Sequence, residues 1–302
     1  MENNKSSMTA LISAFARAYH TENDLPKIFN DTLARDFLTD EEYTLISNNM
    51  LAGLAYFKPE NNLTFANDAE ALKWVVQTRL APITLARASY CEEMLQNAVM
   101  LGVNQYVILG AGMDTFAFRH PELLKKLHVF ELDHPATQAF KRSRIQSLGW
   151  EISENFHQVP IDFTTDNLVD TLTKAGFNPD ERAYFSWLGV TYYLSQDKIM
   201  DVLKSVAKIA RKGSTLMFDY PDEKLFKSEV SRVKSMLAMA AASGEPMKSC
   251  FSYAELESLL EQAGFLIYEH LSPTDIEASY FQHRQDYLHA FEHVHFALAV
   301  VH

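Results

Sequence analysis

The stretch that most constrains this chain runs from Tyr106 to Asp133. It opens on a brief apolar run, Tyr106 to Leu109, the size of one buried parallel strand. The run stops at Gly110-Ala111-Gly112. Two glycines one residue apart let the backbone turn sharply and approach a bound group with no Cβ in the way. A second apolar run, His128 to Leu132, ends in Asp133. Turn glycines after one strand and a carboxylate after the next describe a site for a nucleoside with a ribose diol. Taken alone, the glycines are equally compatible with a tight strand-to-helix turn that holds no ligand.

The glycine spacing selects among nucleosides. A dinucleotide fingerprint carries a third glycine that seats the helix facing the pyrophosphate. Here that position is Thr115, and Asp114 places a carboxylate where the pyrophosphate would sit. NAD and ATP are opposed by that charge, which argues against an NAD-dependent dehydrogenase. A cofactor with a cationic centre and no phosphate, such as S-adenosylmethionine, suits it.

The rest of the chain supplies the frame. Residues 1–104 read as helical: Met8 to Tyr19, Pro26 to Phe37, Asp40 to Phe57 with a Thr39/Glu42 capping box, a break at Pro59 to Asn62, and Asn67 to Leu101 punctuated by Pro82. From 105 to 302 strands and helices alternate, which predicts a parallel sheet covered on both faces. Strands are expected near 105–109, 127–132, 157–161, 183–188, 213–219, 264–270 and 293–301, the last two as an antiparallel pair. Helices are expected near 115–125, 136–148, 166–175, 196–211 and 252–263, with Ser252/Glu255 as a second capping box and Gly176 and Gly264 closing helices. A Met- and Ala-rich helix at 222–243 reads as an insertion, the region near 222–250 and the N-terminal helices together forming a lid and acceptor pocket.

Charge and cysteine usage exclude other classes. With 39 acidic and 27 basic side chains the net charge is −12, which opposes nucleic acid and anionic membrane surfaces as partners. No apolar run approaches the ~20 residues of a membrane span, and Arg17 and His20 interrupt any N-terminal signal-like core. Cys91 and Cys250 form no C-x-x-C pair, so neither zinc site nor disulfide framework is expected, and a reduced, cytoplasmic setting is. His289, His293 and His295 complete no metal-ligand spacing. No G-x-S-x-G or H-E-x-x-H hydrolase motif is present.

L-G-A-G-M-D-T with F-E-L-D downstream, A-R-A-S-Y at 86–90, P-I-D-F at 160–163 and W-L-G-V-T-Y-Y-L at 187–194 together resemble the leucine carboxyl methyltransferase family. The likeness covers nearly the whole chain and includes bacterial polyketide O-methyltransferases. It implies a class I methyltransferase fold, Rossmann-like, with seven strands, an N-terminal helical cap and S-adenosylmethionine as cofactor. It also implies transfer of a methyl group to a carboxylate or hydroxyl of a small molecule. The competing reading is a non-catalytic scaffold or sensor that binds an adenine nucleoside on the same fold.

The resemblance assigns residues to parts of the cofactor. Gly110, Ala111 and Gly112 form the turn beneath it. Arg87 takes its carboxylate, as an arginine fork can, with Arg17 and Arg79 as weaker candidates. Asp133 takes the ribose hydroxyls, although Glu131, two residues earlier on the same strand face, competes. Asp162 and Phe163 take the adenine. Leu188 stands where relatives often carry a glutamate, which removes a polar contact and keeps the non-catalytic reading open. Trp187, Tyr192 and Tyr193 are candidates to face the sulfonium. No residue is marked as a general base, with His20, His134 and a tyrosine as the candidates.

Overall fold

A computed structural model describes residues 8–54, 64–242 and 244–302. Seven strands form one sheet: β1 Gln105–Leu109, β2 His128–Asp133, β3 Phe156–Pro160, β4 Ala183–Trp187, β5 Thr215–Pro221, β6 Phe265–Leu271 and β7 Val294–Val301. Their order is β3-β2-β1-β4-β5-β7-β6. The first five run parallel, and β7 lies antiparallel between β5 and β6. Strand order reverses between β1 and β4, the place where open α/β sheets bind ligands beyond their carboxyl ends.

Alternation along each strand splits the core into two layers. In β1, Tyr106 and Ile108 point to one face and Val107 and Leu109 to the other. The first face is covered by the N-terminal helices α1 Met8–Asn23, α2 Asp40–Ala52, α3 Asp68–Val75 and α4 Ala81–Met100. The second is covered by α7 Leu168–Lys174, α8 Gln196–Ile209 and α10 Tyr253–Ala263. On α8 the buried Ile199, Val202, Leu203, Val206 and Ile209 recur at helical spacing. Each such side chain contributes about 1.5–3 kcal/mol relative to leaving it in water. The remaining helices are α5 Phe116–Arg119, α6 Pro135–Leu148, α9 Ser231–Ala242 and α11 Pro273–Ile276.

Both capping boxes form, Thr39 with Glu42 and Ser252 with Glu255. Gly264 closes α10 in the left-handed region at φ +93°. Three segments depart from the sequence reading. Residues Pro26 to Phe37 hold no α-helix, only a 3₁₀ turn at Ala34–Phe37. Their amides are taken by side chains instead: Ile28 N–H donates to His20 Nε2, Asp31 N–H to Thr21 Oγ1 and Leu33 N–H to Asp31 Oδ1. With those donors satisfied, nothing demands a helical ladder. The 67–101 helix is divided by a π turn at Val76–Leu80. Pro82 follows it, lacks an N–H and crowds the carbonyl four residues earlier, which the wider turn accommodates. The inserted helix begins only at Ser231, because Asp222 accepts the Lys224 N–H and Ser228 accepts the Val230 N–H, holding 222–230 in turns. Helix α2 ends at Ala52, and the expected extension to Phe57 and the Pro59–Asn62 break lie outside the described residues.

Candidate cofactor site

The ends of β1 and β2 are tied together. The Gly110 and Ala111 N–H groups both donate to the Leu132 carbonyl, at 2.8 and 3.0 Å. Gly110 sits at φ +80°, and a Cβ there would lie 2.6 Å from Val190 Cγ2. Gly112 sits at φ +50°, with a Cβ position 3.1 Å from that of Ala10 on α1. The Gly112 N–H donates to Asp133 Oδ2 at 2.6 Å, and the His134 N–H to Asp133 Oδ1 at 2.7 Å. Burial raises the Asp133 pKa, and these two backbone bonds oppose it. Glu131, its competitor, turns away. It is fully buried and pairs with the buried ammonium of Lys141 on α6 at 2.5 Å. Burial pushes Glu131 up to about 7, with Lys141 offsetting part of the shift.

Helix α4 presents Thr84, Arg87, Ala88, Cys91 and Glu92 along one stripe to the same space. Arg87 donates through Nη1 to Asp219 Oδ2 at 2.9 Å. Burial works against its charge, but Asp219 beside it holds the guanidinium pKa above the usual value. Asp219, in β5, is fully buried and also accepts the Gly189 N–H at 2.7 Å and the Tyr192 hydroxyl. Burial, with Asp219 adding to it, drives the Tyr192 pKa far up.

Asp162 and Phe163 follow β3. The Asp162 carboxylate accepts the Thr164 hydroxyl at 2.6 Å and the Thr164 N–H at 2.9 Å, which hold its pKa below the ordinary range. Phe163 packs on the second core layer and Leu188 on the first. Arg87, Gly110, Ala111, Gly112, Asp133, Asp162, Phe163 and Leu188 all line one cavity of about 550 Å³.

Several residues that frame this cavity carry no mark in the sequence. Asp31 is buried and gathers Arg17 Nε at 2.8 Å, Thr115 Oγ1 at 2.7 Å and Arg119 Nε at 3.4 Å. Burial raises its pKa, and the two guanidiniums overcome that and lower it. Arg17 also donates to the Met113 carbonyl at 2.6 Å, so α1 is fastened to the glycine turn. Thr9 on α1 donates to Glu245 at 2.7 Å, joining the helix to the 244–248 loop across the mouth. Asp219, fully buried behind the lining, is equally unmarked in the sequence.

The other candidates divide. Arg17, Tyr193 and His134 line the cavity. Arg79 is not among its lining residues; its guanidinium lies over Trp74 at 5.1 Å. Trp187 and Tyr192 are buried in opposite core layers and do not line it either. His20 is buried, with Nε2 accepting the Ile28 N–H and Nδ1 facing Asp24 at 2.7 Å, so no ring nitrogen is available as a base. His134 caps α6 by accepting the Ala136 N–H on Nδ1 at 3.3 Å. His293 and His295 flank Asp222, and His289 Nδ1 meets the Tyr287 carbonyl. Among the described residues no cluster of three or more His, Cys, Asp or Glu has metal-holding geometry, and no helix is long and apolar enough to cross a membrane.

Residues 10–207 match the sequence model of the family described as leucine carboxyl methyltransferase. A relative from Bacillus subtilis (strain 168), YktD, is 50% identical over 303 residues, spanning 99% of each chain. Its name provisionally assigns it S-adenosyl-L-methionine-dependent methyl transfer. A relative from Mycobacterium tuberculosis (strain H37Ra), named in the same way, is 30% identical over 243 residues, 77% of this chain and 72% of its own. Among solved structures, a DUF574 family protein from Streptomyces avermitilis MA-4680 superposes with a TM-score of 0.61, at 12% identity and 98% coverage of both chains, a likeness of fold.

Proposed function

Because the chain belongs to the leucine carboxyl methyltransferase family, we propose that its cavity holds S-adenosylmethionine on the eight residues named above and methylates a carboxylate or hydroxyl of a small molecule. The chain is an S-adenosylmethionine-dependent methyltransferase of the class I fold.

One observation carries it: side chains from α4 and from the ends of β1, β2, β3 and β4 converge on a single cavity of a volume suited to one such cofactor. The chemistry of that lining fits the group. Gly110 and Gly112 line the cavity with bare backbone, at positions where a Cβ would press on Val190 and Ala10 of the same lining. Arg87 engages Asp219 through Nη1 alone, leaving its other nitrogens to grip a carboxylate. Asp133 has unused acceptor capacity for a diol. The cavity's Asp114 and Asp133 carboxylates repel a pyrophosphate and tolerate a sulfonium. When bound, S-adenosylmethionine supplies an electrophilic methyl group on a good neutral leaving group.

The protein's own work is then positioning and exclusion of water. Arg87 and Asp133 hold two ends of the cofactor, while Asp162 and Phe163 receive the adenine. Helix α1 and the 244–248 loop, joined by Thr9 and Glu245, form the roof under which the acceptor enters. Helices α1 to α4, with α9 and the 244–248 loop, thus serve as cap and lid over the α/β sheet. Both ring nitrogens of His20 are engaged, and His134 Nδ1 is taken by the α6 cap. Tyr193 lines the cavity, but burial raises its pKa and makes it a poor base, which favours an acceptor already ionised at neutral pH, a carboxylate, over an alcohol. No feature of the cavity favours the non-catalytic binder, even with Leu188 in place of glutamate.

The test is transfer of label from S-[methyl-³H]adenosylmethionine to a panel of small carboxylic acids, phenols and alcohols. Base-labile methyl esters are expected. Product confined to ethers, or label on neither class, would count against the acceptor assignment.

A further inference from the structure

We propose that Asp219 is a positioning residue for cofactor recognition: it holds the Arg87 guanidinium flat against Gly189 so that the opposite edge meets the cofactor's carboxylate. The inference rests on the reading that Arg87 takes that carboxylate.

Three donors converge on the buried Asp219 carboxylate from three different elements. Oδ1 accepts the Gly189 N–H beyond β4, and Oδ2 accepts Arg87 Nη1 from α4 and the Tyr192 hydroxyl from the turn after β4. The Asp219 carbonyl accepts the Thr191 hydroxyl at 2.6 Å. The Thr191 carbonyl in turn accepts the Ser249 hydroxyl at 2.9 Å. Asp219 thereby fixes both the arginine and the backbone on which the arginine rests.

Gly189 gives that backbone its shape. It lies at φ +68°, and a Cβ there would sit 2.5, 2.6 and 2.8 Å from Nη1, Nη2 and Cζ of Arg87. Only a glycine lets the guanidinium lie this close. A guanidinium on a long stem otherwise samples many rotamers, and restricting them before binding lowers the entropy lost on binding. Asp219 also neutralises much of the Arg87 charge. Its contribution is therefore orientation, gained at some loss of electrostatic attraction.

That opposition makes the idea testable by sign. If charge alone mattered, Asp219→Asn would free the Arg87 cation and tighten a carboxylate ligand. If orientation matters, the same change loosens it. Calorimetric affinities for S-adenosylhomocysteine, which carries the carboxylate, and 5′-methylthioadenosine, which lacks it, separate this from general damage to the pocket. Wild type, Arg87→Ala, Asp219→Asn, the double variant and Gly189→Ala are compared, with circular dichroism as the check on folding.

Arg87→Ala is expected to weaken S-adenosylhomocysteine about ten- to a hundredfold. Asp219→Asn is expected to weaken it about five- to thirtyfold, and methylthioadenosine less than about twofold. The double variant should be no worse than Arg87→Ala. Gly189→Ala, which displaces the guanidinium while keeping the Asp219 carboxylate, should show the same selective loss and stands in if Asp219→Asn does not fold. If Arg87→Ala weakens both ligands equally, the reading of Arg87 fails and the positioning role falls with it. If Arg87→Ala is selective while Asp219→Asn and Gly189→Ala leave the preference intact, or tighten S-adenosylhomocysteine, the positioning role is overturned and the reading of Arg87 survives.

Discussion

Asp133 Oδ2 accepts the Gly112 N–H at 2.6 Å, so the carboxylate that ends the second strand holds the glycine turn that ends the first. The same carboxylate is the proposed partner of the ribose hydroxyls. Ionised, it offers two acceptor oxygens to a diol; protonation turns one of them into a donor and weakens that pairing. Burial raises its pKa, so protonation sets in at a higher pH than for an ordinary aspartate. Affinity for S-adenosylhomocysteine should therefore be full at the alkaline end and fall as pH drops through that raised value. Titrations run downward from neutral pH should show this limb in wild type, beginning above the range of an ordinary aspartate, and its loss in Asp133→Asn. A wild-type profile identical to that of the variant would remove Asp133 from the ribose site.

The two turn glycines make separable predictions. Gly110→Ala places a methyl 2.6 Å from Val190 Cγ2 at a φ of +80°. Combining it with Val190→Ala should recover part of the lost stability, leaving the backbone strain, about 1–2 kcal/mol. Gly112→Val should abolish cofactor binding while leaving most of the helical circular dichroism, since Gly112 lies against α1 and beneath the cavity. Tight binding by Gly112→Val would mean that the cofactor lies elsewhere.

Glu131 and Lys141 form a buried ion pair behind the site. Removing one member strands the other as an uncompensated buried charge. Glu131→Met or Lys141→Met alone should destabilise by about 3–5 kcal/mol in urea unfolding, and the double Met variant by much less. Additive losses would show that the two side chains do not act as a pair.

Strands such as β1, β2 and β5 were legible as largely apolar runs cut off by Gly, Asp or Pro, and the glycine turn and Asp133 were legible because each closes such a run. Asp219 was not. It sits in L-M-F-D-Y with nothing local to mark it, and its partners lie 30, 27 and 132 residues away. Asp31 is similar, with Thr115 84 residues downstream. The Pro26–Phe37 segment has helical composition, but His20, Thr21 and Asp31 side chains claim its amides. The choice between Glu131 and Asp133 was open in the sequence because both share a strand face. Lys141, on the following helix, occupies Glu131 and so supports the proposal of Asp133.

The central claim is that the cavity binds S-adenosylmethionine through Asp133 and not a dinucleotide. Calorimetry with S-adenosylhomocysteine and NAD, on wild type, Asp133→Ala and Glu131→Ala, tests it most directly. The account predicts that wild type binds S-adenosylhomocysteine at one site and not NAD. Asp133→Ala should lose about 1.5–3 kcal/mol of that affinity, while folded Glu131→Ala retains most of it. Binding of NAD in preference to S-adenosylhomocysteine, or unchanged S-adenosylhomocysteine affinity in a folded Asp133→Ala, would contradict it.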